Sequence, residues 1–478
     1  MPENRKIYIL DPKKISPETI AVAFAKTSRS PESFEQIASE LTDTKSAQFH
    51  EKWVVGYGHS SVAEHAVLHI ALENISRLAV ECLESNRLAS YTEKSSRYQV
   101  WDENHFFVPA ELDQSGTLTP YLETSRRIFS NYKTAYRKVH AYLEQRYPQQ
   151  KDESSGAFAQ RLRTTSADGC RYFLPASSLA NVGMSINARA LEHAIQKMLS
   201  HPLQEVQEMG EEIKNVSLQH VPTLVKYANR NDYMVNVREQ IIALAKDLPL
   251  NSPTANDWCV CTGCDPDAVT RVLAALLYRY SQLSLEQARD SIQSMDERQQ
   301  QNIADCLLGH RKSHDIPLRE LEYGYLGFDL VLDQGAYFEL KRHRMMTQTA
   351  QAFTPALGYA IPQLLVDAGV SHLFRTTMHD AAQLFHAIAP TFPPAAAYIL
   401  PNAFNRRVMI NMNLRSALHL IKLRSAPNAH FSIRRTAQKI GEIIRRQYPI
   451  LSPYFQAAAP ETSQTITEKY FFDTRVMV

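Results

Sequence analysis

The chain has 478 residues, 44% apolar and 21% charged. At roughly 100–200 residues per domain this implies two to four domains with real cores. Lys and Arg number 52 against 50 Asp and Glu, so overall charge advertises neither nucleic acid nor a membrane surface. Only 15 residues are glycine, neither G-x-G-x-x-G nor G-x-x-x-x-G-K-[ST] occurs, and no apolar run reaches the ~18 residues of a membrane span. Glycine-rich phosphate cradles are therefore disfavoured.

The N-terminal MPENRKIYILDPKK lacks the apolar stretch of a signal peptide. Six cysteines, Cys82, Cys170, Cys259, Cys261, Cys264 and Cys306, are too sparse for a disulfide scaffold at this length. A cytoplasmic protein with free thiols is the expectation.

In chain order, SFEQIASEL (33–41) has a helical pattern, and GHSSVAEH (58–65) supplies His59, Ser61, Glu64 and His65. His65 and His69 are four apart, a spacing that suits a metal on a helix but is stretched on a strand. Leu68, Ile70 and Leu72 alternate with polar or small residues, as in a half-buried strand. Ile75, Leu78, Ala79 and Cys82 then follow a helical period. After them, Ser90, Glu93, Ser95 and Arg97 in SNRLASYTEKSSRYQ (85–99) are spaced to ring a small anion, or to form an ordinary polar loop. QQKDESSG (149–156) is expected to be a solvated loop.

Much of this occurs twice. The 66–87 segment has a counterpart at 325–344, where Phe328, Leu330 and Leu332 alternate with Asp329, Val331 and Asp333. LPASSLANVGMSINARALEHAI (174–195) matches LPNAFNRRVMINMNLRSALHLI (400–421), with Leu-Pro and Asn-x-Arg at the same separation. SFEQIASEL matches SLEQARDSI (284–292). Three pairs in one order indicate a duplication. Two homologous domains are expected, 1–235 and 236–478, joined near the turn-rich DLPLNSPTANDW (247–258). Helices with alternating strands but no regular βαβ units suggest an α+β fold, each half a mixed sheet packed with helices.

Arg342-His343-Arg344 ends the helical stretch of the second half, where the first half has Ser85-Asn86-Arg87. Consecutive cationic side chains suit a multiply charged phosphate ligand, or simply a solvated helix end. Cys259, Cys261 and Cys264 form C-x-C-x-x-C without a fourth ligand at zinc-site spacing, so buried or incidental thiols are expected and no metal is assigned.

Together these residues resemble the flavin-dependent thymidylate synthases. That family carries G-H-x-[ST]-x-x-E-H, then R-H-R-x-x-S-x-N-E-x-S-x-R-Y, then L-P, N-x-R and L-R before H-A-Q. The resemblance covers most of both halves, but the motifs are divided between them. The first half keeps GHSSVAEH and Arg87, Ser90, Glu93, Ser95, Arg97 and Tyr98; Thr92 replaces the motif's Asn, and Asn181 replaces the Arg seven places after the Leu of Leu-Pro. The second half keeps Arg342, His343, Arg344, Arg407, Asn413, Arg415 and Leu423-Arg424; its first motif is reduced to PLRELEY (317–323), and H-A-Q has become Asn428-Ala429-His430.

The resemblance implies FAD-dependent transfer and reduction of a one-carbon unit from methylenetetrahydrofolate to C5 of a pyrimidine deoxynucleotide, dUMP to dTMP, with NADPH recharging the flavin. It implies Arg424 as the catalytic group that polarises the base. Substrate contacts are implied for Glu93, Ser95, Ser96, Arg97, Glu339, Arg342 and Arg407. For FAD the implied residues are Ser61, Glu64, Arg342, His343, Arg344, Asn413, Arg415 and His419, with His59 on the folate side. Glu339 stands where the family usually has Gln. A homodimer forming a pseudo-tetramer is implied, with complementary sets from the two halves and no nucleic-acid or membrane partner. The alternatives are a non-catalytic flavin- or nucleotide-binding homologue, a flavin enzyme for another pyrimidine nucleotide, and a metal hydrolase built on His59, His65 and His69.

Overall fold

A strand that ends on a capping side chain and turns directly into a helix is the local unit of this protein, and it occurs four times. Ser76 closes a strand and accepts a hydrogen bond from Ala79 N–H, starting the helix Arg77–Leu83. Asp333 does the same for Gln334–Leu340, Asn187 for Ala188–Leu199 and Asn413 for Leu414–Arg424. Each oxygen satisfies a donor that the first helical turn leaves open. The Asn of both Asn-x-Arg motifs is thus a helix cap.

The computed structural model describes residues 8–28, 30–97, 99–114, 116–248 and 258–478. The proposed junction at 247–258 and Tyr98 fall largely or wholly outside them. By contact the chain forms two compact units that do not follow sequence order. One comprises Met1–Lys94, Phe107–Asp113 and Leu179–Asn251; the other comprises Ser95–Phe106, Gln114–Ser178 and Ser252–Val478.

The first unit has an antiparallel sheet of β1 (Val67–Ser76), β2 (Ala89–Glu93) and β3 (Leu179–Asn187), in the order β1-β3-β2. The expected strand is therefore present. It runs on through Ile75, so the helix starts later than the apolar spacing suggested. A bulge lies between Leu72 and Ile75, with Asn74 at φ 57°; asparagine tolerates this left-handed conformation better than most residues. The segment 85–99 is a strand over part of its length, because β2 pairs with β3 from Ala89 to Glu93.

The second unit has β4 (Cys259–Cys264), β5 (Tyr325–Asp333), β6 (Thr347–Ala350), β7 (Tyr359–Pro362), β8 (Asn405–Asn413) and β9 (Phe471–Val476). They form a four-stranded sheet ordered β4-β5-β8-β6 and a β7-β9 pair. The duplication extends to register. Val67 opposes Asn187 as Tyr325 opposes Asn413, and Ser90 opposes Ser185 as Thr347 opposes Asn411. The upstream helices correspond in their caps: Ser33 with Gln36 and Ser284 with Gln287 each form a capping box.

The second unit's core lies between its sheet and its helices. Phe328, Leu330, Val408 and Ile410 from the strands meet Leu414 and Ile421 of Leu414–Arg424 and Ile433 and Ile440 of Phe431–Gln447. Each such side chain contributes about 1.5–3 kcal/mol on burial. The same unit holds the long helix Leu118–Arg146 and the helix Ser155–Cys170, joined by the largely exposed segment 147–154; the loop expected at 149–156 ends two residues earlier, because Ser154 caps the second helix. Leu118–Arg146 packs on Ser371–Ile388 through Asn131 Nδ2 to Thr377 Oγ1 at 2.9 Å and an Arg127–Asp380 ion pair at 3.0 Å.

Cys261 and Cys264 are not free thiols but a disulfide. A bulge between Cys261 and Gly263 shortens the path along β4 and brings the two Cα atoms to 6.3 Å, within bridging distance. Cysteine spacing alone does not reveal a bulge. Cys82, Cys170 and Cys259 are buried and outside any disulfide, and Cys306 is exposed.

Candidate functional site

The Ser95–Arg97 loop lies in the second unit, with the Arg342–Arg344 segment and Arg424. Arg97 is gripped on two sides. Its Nε and Nη2 donate to the two carboxylate oxygens of Asp168 at 2.7 and 2.8 Å, and Nη1 donates to the Asn428 carbonyl at 2.9 Å. Such a two-pronged, charge-assisted pair fixes orientation as well as position. Asn428-Ala429-His430, the segment that departs from H-A-Q, holds both partners. His430 lies 3.1 Å from the Asp168 carbonyl through Nε2, while its Nδ1 accepts from Ser432 N–H. Burial, then Arg171 and Arg97, push the His430 pKa well below the histidine range, which suits that neutral tautomer. The Ser95 hydroxyl accepts from Arg97 N–H at 3.2 Å, and Ser96 is half-buried beside it.

Arg424 ends its helix and points at two acceptors. Nη1 donates to Glu339 Oε2 at 2.7 Å and Nε to His343 Nε2 at 3.0 Å. Glu339 is also 3.8 Å from Arg171, itself buried and bonded to the Gly335 carbonyl. Burial alone raises the Glu339 pKa, but Arg171, Arg342, Arg424 and Arg97 more than offset this and hold it below the usual range. Glu339 is therefore an ionised acceptor among cations. Burial, then the charge of Arg424 and the neighbouring His419, lowers His343 to about 3. A neutral imidazole with an open Nε2 is what an arginine N–H requires. The His343 and His419 rings are 5.6 Å apart, and burial also lowers His419.

The other predicted residues of this unit are more dispersed. Arg342 is exposed and Arg344 half-buried, just past the helix Gln334–Leu340. Arg407 on β8 pairs with Asp329 on β5, at 2.9 Å from Nε and 2.8 Å from Nη2. Asn413 caps its helix, while Arg415 bonds the Pro317 carbonyl and pairs with Glu322 at 2.6 Å.

Glu93, His59, Ser61 and Glu64 belong to the first unit. Glu93 is almost wholly buried in an ion pair with Arg77. Ser90 lies on β2 of the first unit, whereas Ser95, Ser96 and Arg97 belong to the second. His59, Ser61 and Glu64 border a cleft of about 770 Å³ that is also lined by Trp53, Phe49 and Phe24. Gly58, at φ +74°, supplies the left-handed turn that leads into it. Glu64 pairs with Arg189 at 2.5 Å, the counterpart of Glu322 with Arg415. His65 packs its ring on Phe24 and His69 bonds Ser185; no metal-ligand cluster occurs among the described residues.

The strand register shows what became of the corresponding site in the first unit. Cys82 stands for Glu339, Ser85 and Asn86 for Arg342 and His343, and fully buried Met198 for Arg424. Lys197 Nζ bonds both Ser85 Oγ and Asn86 Oδ1, at 2.5 and 2.6 Å. Asp168, Arg171 and Asp329 carry no motif, and sequence reasoning missed them.

The model of the thymidylate synthase complementing protein family matches residues 13–223 and again 261–450. The chain belongs to that family, as a tandem duplication. A UPF0159 protein of Chlamydia muridarum is 30% identical over 434 residues, 87% of this chain and 82% of that protein. One from Thermoplasma acidophilum is 24% identical over 86% of this chain and 89% of its own length. The flavin-dependent thymidylate synthase of Clostridium tetani is 27% identical over 233 residues, 48% of this chain and 90% of that enzyme. A solved flavin-dependent thymidylate synthase of Helicobacter pylori, in complex with FAD and dUMP, is 16% identical; it covers 42% of this chain at a TM-score of 0.30, too low to support inference.

Proposed function

We propose that the protein transfers a one-carbon unit from methylenetetrahydrofolate to C5 of a pyrimidine deoxynucleotide and reduces it, converting dUMP to dTMP, with FAD as cofactor and NADPH as reductant. One observation carries this reading: Arg97 and Arg424, 327 positions apart in the chain, lie in one compact unit and both act on the charge of Glu339. Family membership supports it.

Arg424 is the group that polarises the base. Its guanidinium donates toward a carbonyl and stabilises negative charge gathering on the ring, which makes C5 nucleophilic. Neutral His343 and ionised Glu339 aim it without a search of rotamers. Arg97, Arg407 and Arg342 hold the phosphate, with Ser95 and Ser96 donating beside them and Glu93 bracing β2.

The residues suit a flavin dinucleotide. Exposed Arg342 and half-buried Arg344 fit a pyrophosphate, and the exposed His419 ring offers a planar face. Asn413 and Arg415 complete that set on their helix. FAD supplies hydride when bound; the protein supplies position and polarity. In the first unit, His59, Ser61 and Glu64 serve a planar heteroaromatic ligand in the aromatic-lined cleft. No helix among the described residues is long and apolar enough to cross a membrane, and the reading places a homodimer in the cytoplasm.

Two features favour narrower alternatives. Glu339 offers only acceptors, which favours a pyrimidine other than uracil. The pairing of Arg97 and Arg407 with their own aspartates favours a non-catalytic homologue. The visible spectrum of the pure protein, followed by tritium release from C5-labelled dUMP, separates them. Flavin bands with release support the synthase; flavin bands without release from dUMP but with release from C5-labelled dCMP identify the other nucleotide. Flavin bands without release from either give the binding homologue, and a colourless protein inert to both sinks the reading.

A further inference from the structure

One face of the first unit's sheet carries chemistry that the nucleotide reading does not use. His69 on β1 and Ser90 on β2 both stand opposite Ser185 on the central strand β3. Side chains paired across a sheet share a face, and this face is open. His69 and Ser90 are exposed and Ser185 is half-buried, while Leu68, Met184 and Ala89 fill the other side. His69 Nδ1 and Ser185 Oγ are 2.7 Å apart. With the ring proton on Nε2, Nδ1 accepts from the serine hydroxyl, the relation of a general base to a nucleophile. The next row across the sheet is Ala71, Gly183 and Thr92. Neither strain nor crowding requires the glycine: its φ is not positive, and a Cβ there would meet only the Thr92 carbonyl, at 4.0 Å. What the two small residues leave is a hollow of about 360 Å³, bordered by His69, Ser90, Thr92 and Ser185 and large enough for a small ligand.

We propose that His69 and Ser185 form an acyl-transfer site that hydrolyses esters of short carboxylic acids. The duplicate half supplies the contrast. In the matching register the second unit has Gly327 for His69, Asn411 for Ser185 and Met409, 56% exposed, for Gly183. Base and nucleophile are both missing there, and a long side chain stands at the position of the hollow. In the first unit, Ser185 Oγ attacks the ester carbonyl carbon as its proton passes to His69 Nδ1. The acyl C–O bond breaks, and His69 returns the proton to the departing alcohol. Water, giving its proton to the same nitrogen, then attacks the acyl-serine; the carboxylic acid leaves and the serine regains its proton from His69. The Ser90 and Thr92 hydroxyls, on the same face, are the donors for the oxyanion that forms in each half-reaction. The acyl chain lies in the hollow over Gly183 and Ala71, which limits it to a few carbons.

The test mixes the full chain with p-nitrophenyl acetate and follows p-nitrophenol release, with mass spectrometry of the quenched protein. The expected result is a burst equal to the chain concentration and an acetyl group on the peptide that carries Ser185. A fluorophosphonate probe, which needs no variant, is expected to label the same serine. Ser185→Ala abolishes the burst. His69→Gln keeps an acceptor for the hydroxyl but takes up no proton, and it slows acylation about a hundredfold or more. Gly183→Met copies the second unit and slows it about tenfold or more. All three lie on the open face and are expected to keep the parent's far-UV circular dichroism. A parent that neither bursts nor takes the probe, an acetyl group on another residue, or a Ser185→Ala, His69→Gln or Gly183→Met variant that acylates as the parent does each overturns the proposal.

Discussion

Arg424 and Glu339 meet at 2.7 Å, about 85 residues apart in sequence, and the arginine's Nε is taken by His343. The expected catalytic cation is thus held by an anion on one side and a neutral ring on the other. Arg424→Ala is expected to abolish turnover, with bound flavin retained. Tritium release and the visible spectrum, read on the same sample, check both parts. Full activity in the variant removes Arg424 from the chemistry.

Glu339 sets a second expectation. A carboxylate accepts but never donates, whereas glutamine does both. Glu339→Gln is expected to improve binding of dUMP relative to dCMP by about tenfold, close to the ~1.4 kcal/mol of one well-placed hydrogen bond. Calorimetric titration of both nucleotides into both proteins measures the ratio. An unchanged ratio means that Glu339 does not face the base.

Asp168 is expected to act through Arg97. Asp168→Ala removes the two-pronged carboxylate partner of a partly buried guanidinium, and a loss of about 1–3 kcal/mol in stability is expected. Arg97→Ala is expected to weaken nucleotide binding more than tenfold. Denaturant melts and nucleotide titrations of the two variants separate the structural role from the binding role.

The buried histidines fix a pH dependence. His343 is neutral in the folded protein down to about 3, while in the unfolded chain it takes up a proton near 6.5. Between those values the unfolded state binds more protons, so stability falls as pH is lowered from about 6.5 toward 3. His430, also lowered by burial, acts in the same direction. Melting temperatures between about pH 7.5 and pH 4.5 are expected to fall, and to fall less in His343→Gln, which keeps an acceptor but cannot titrate.

Thiol counting checks the Cys261–Cys264 bridge. With a small alkylating reagent, the folded unreduced protein is expected to label at Cys306, and a mild reductant to add labels at Cys261 and Cys264. Mass spectrometry of the peptides reads this directly. Prompt labelling of Cys261 without reductant rules out the bridge.

The strands around Leu68 and Phe328 were legible because alternation of apolar and polar residues states which face is buried. The duplication was legible because caps and registers constrain residue type at fixed spacing: Asn187 and Asn413 each hold a helix end. The gripping of Arg97 was not legible. Asp168 sits on a helix of the first sequence half that packs within the second unit, and its function depends on a long-range meeting that no local period encodes. The Cys261–Cys264 bridge was hidden for a related reason: it depends on an irregularity in pairing between β4 and β5, which is a property of two strands together.

The lysine that fills the first unit's counterpart site has a historical consequence. Lys197 bridges the two side chains that replaced an arginine and a histidine, and Met198 has been absorbed into the core. An arginine placed at position 85 or a histidine at position 86 would therefore have to displace the Lys197 ammonium. Positions 85, 86 and 197 are coupled, and a single exchange at any one of them disturbs the other two.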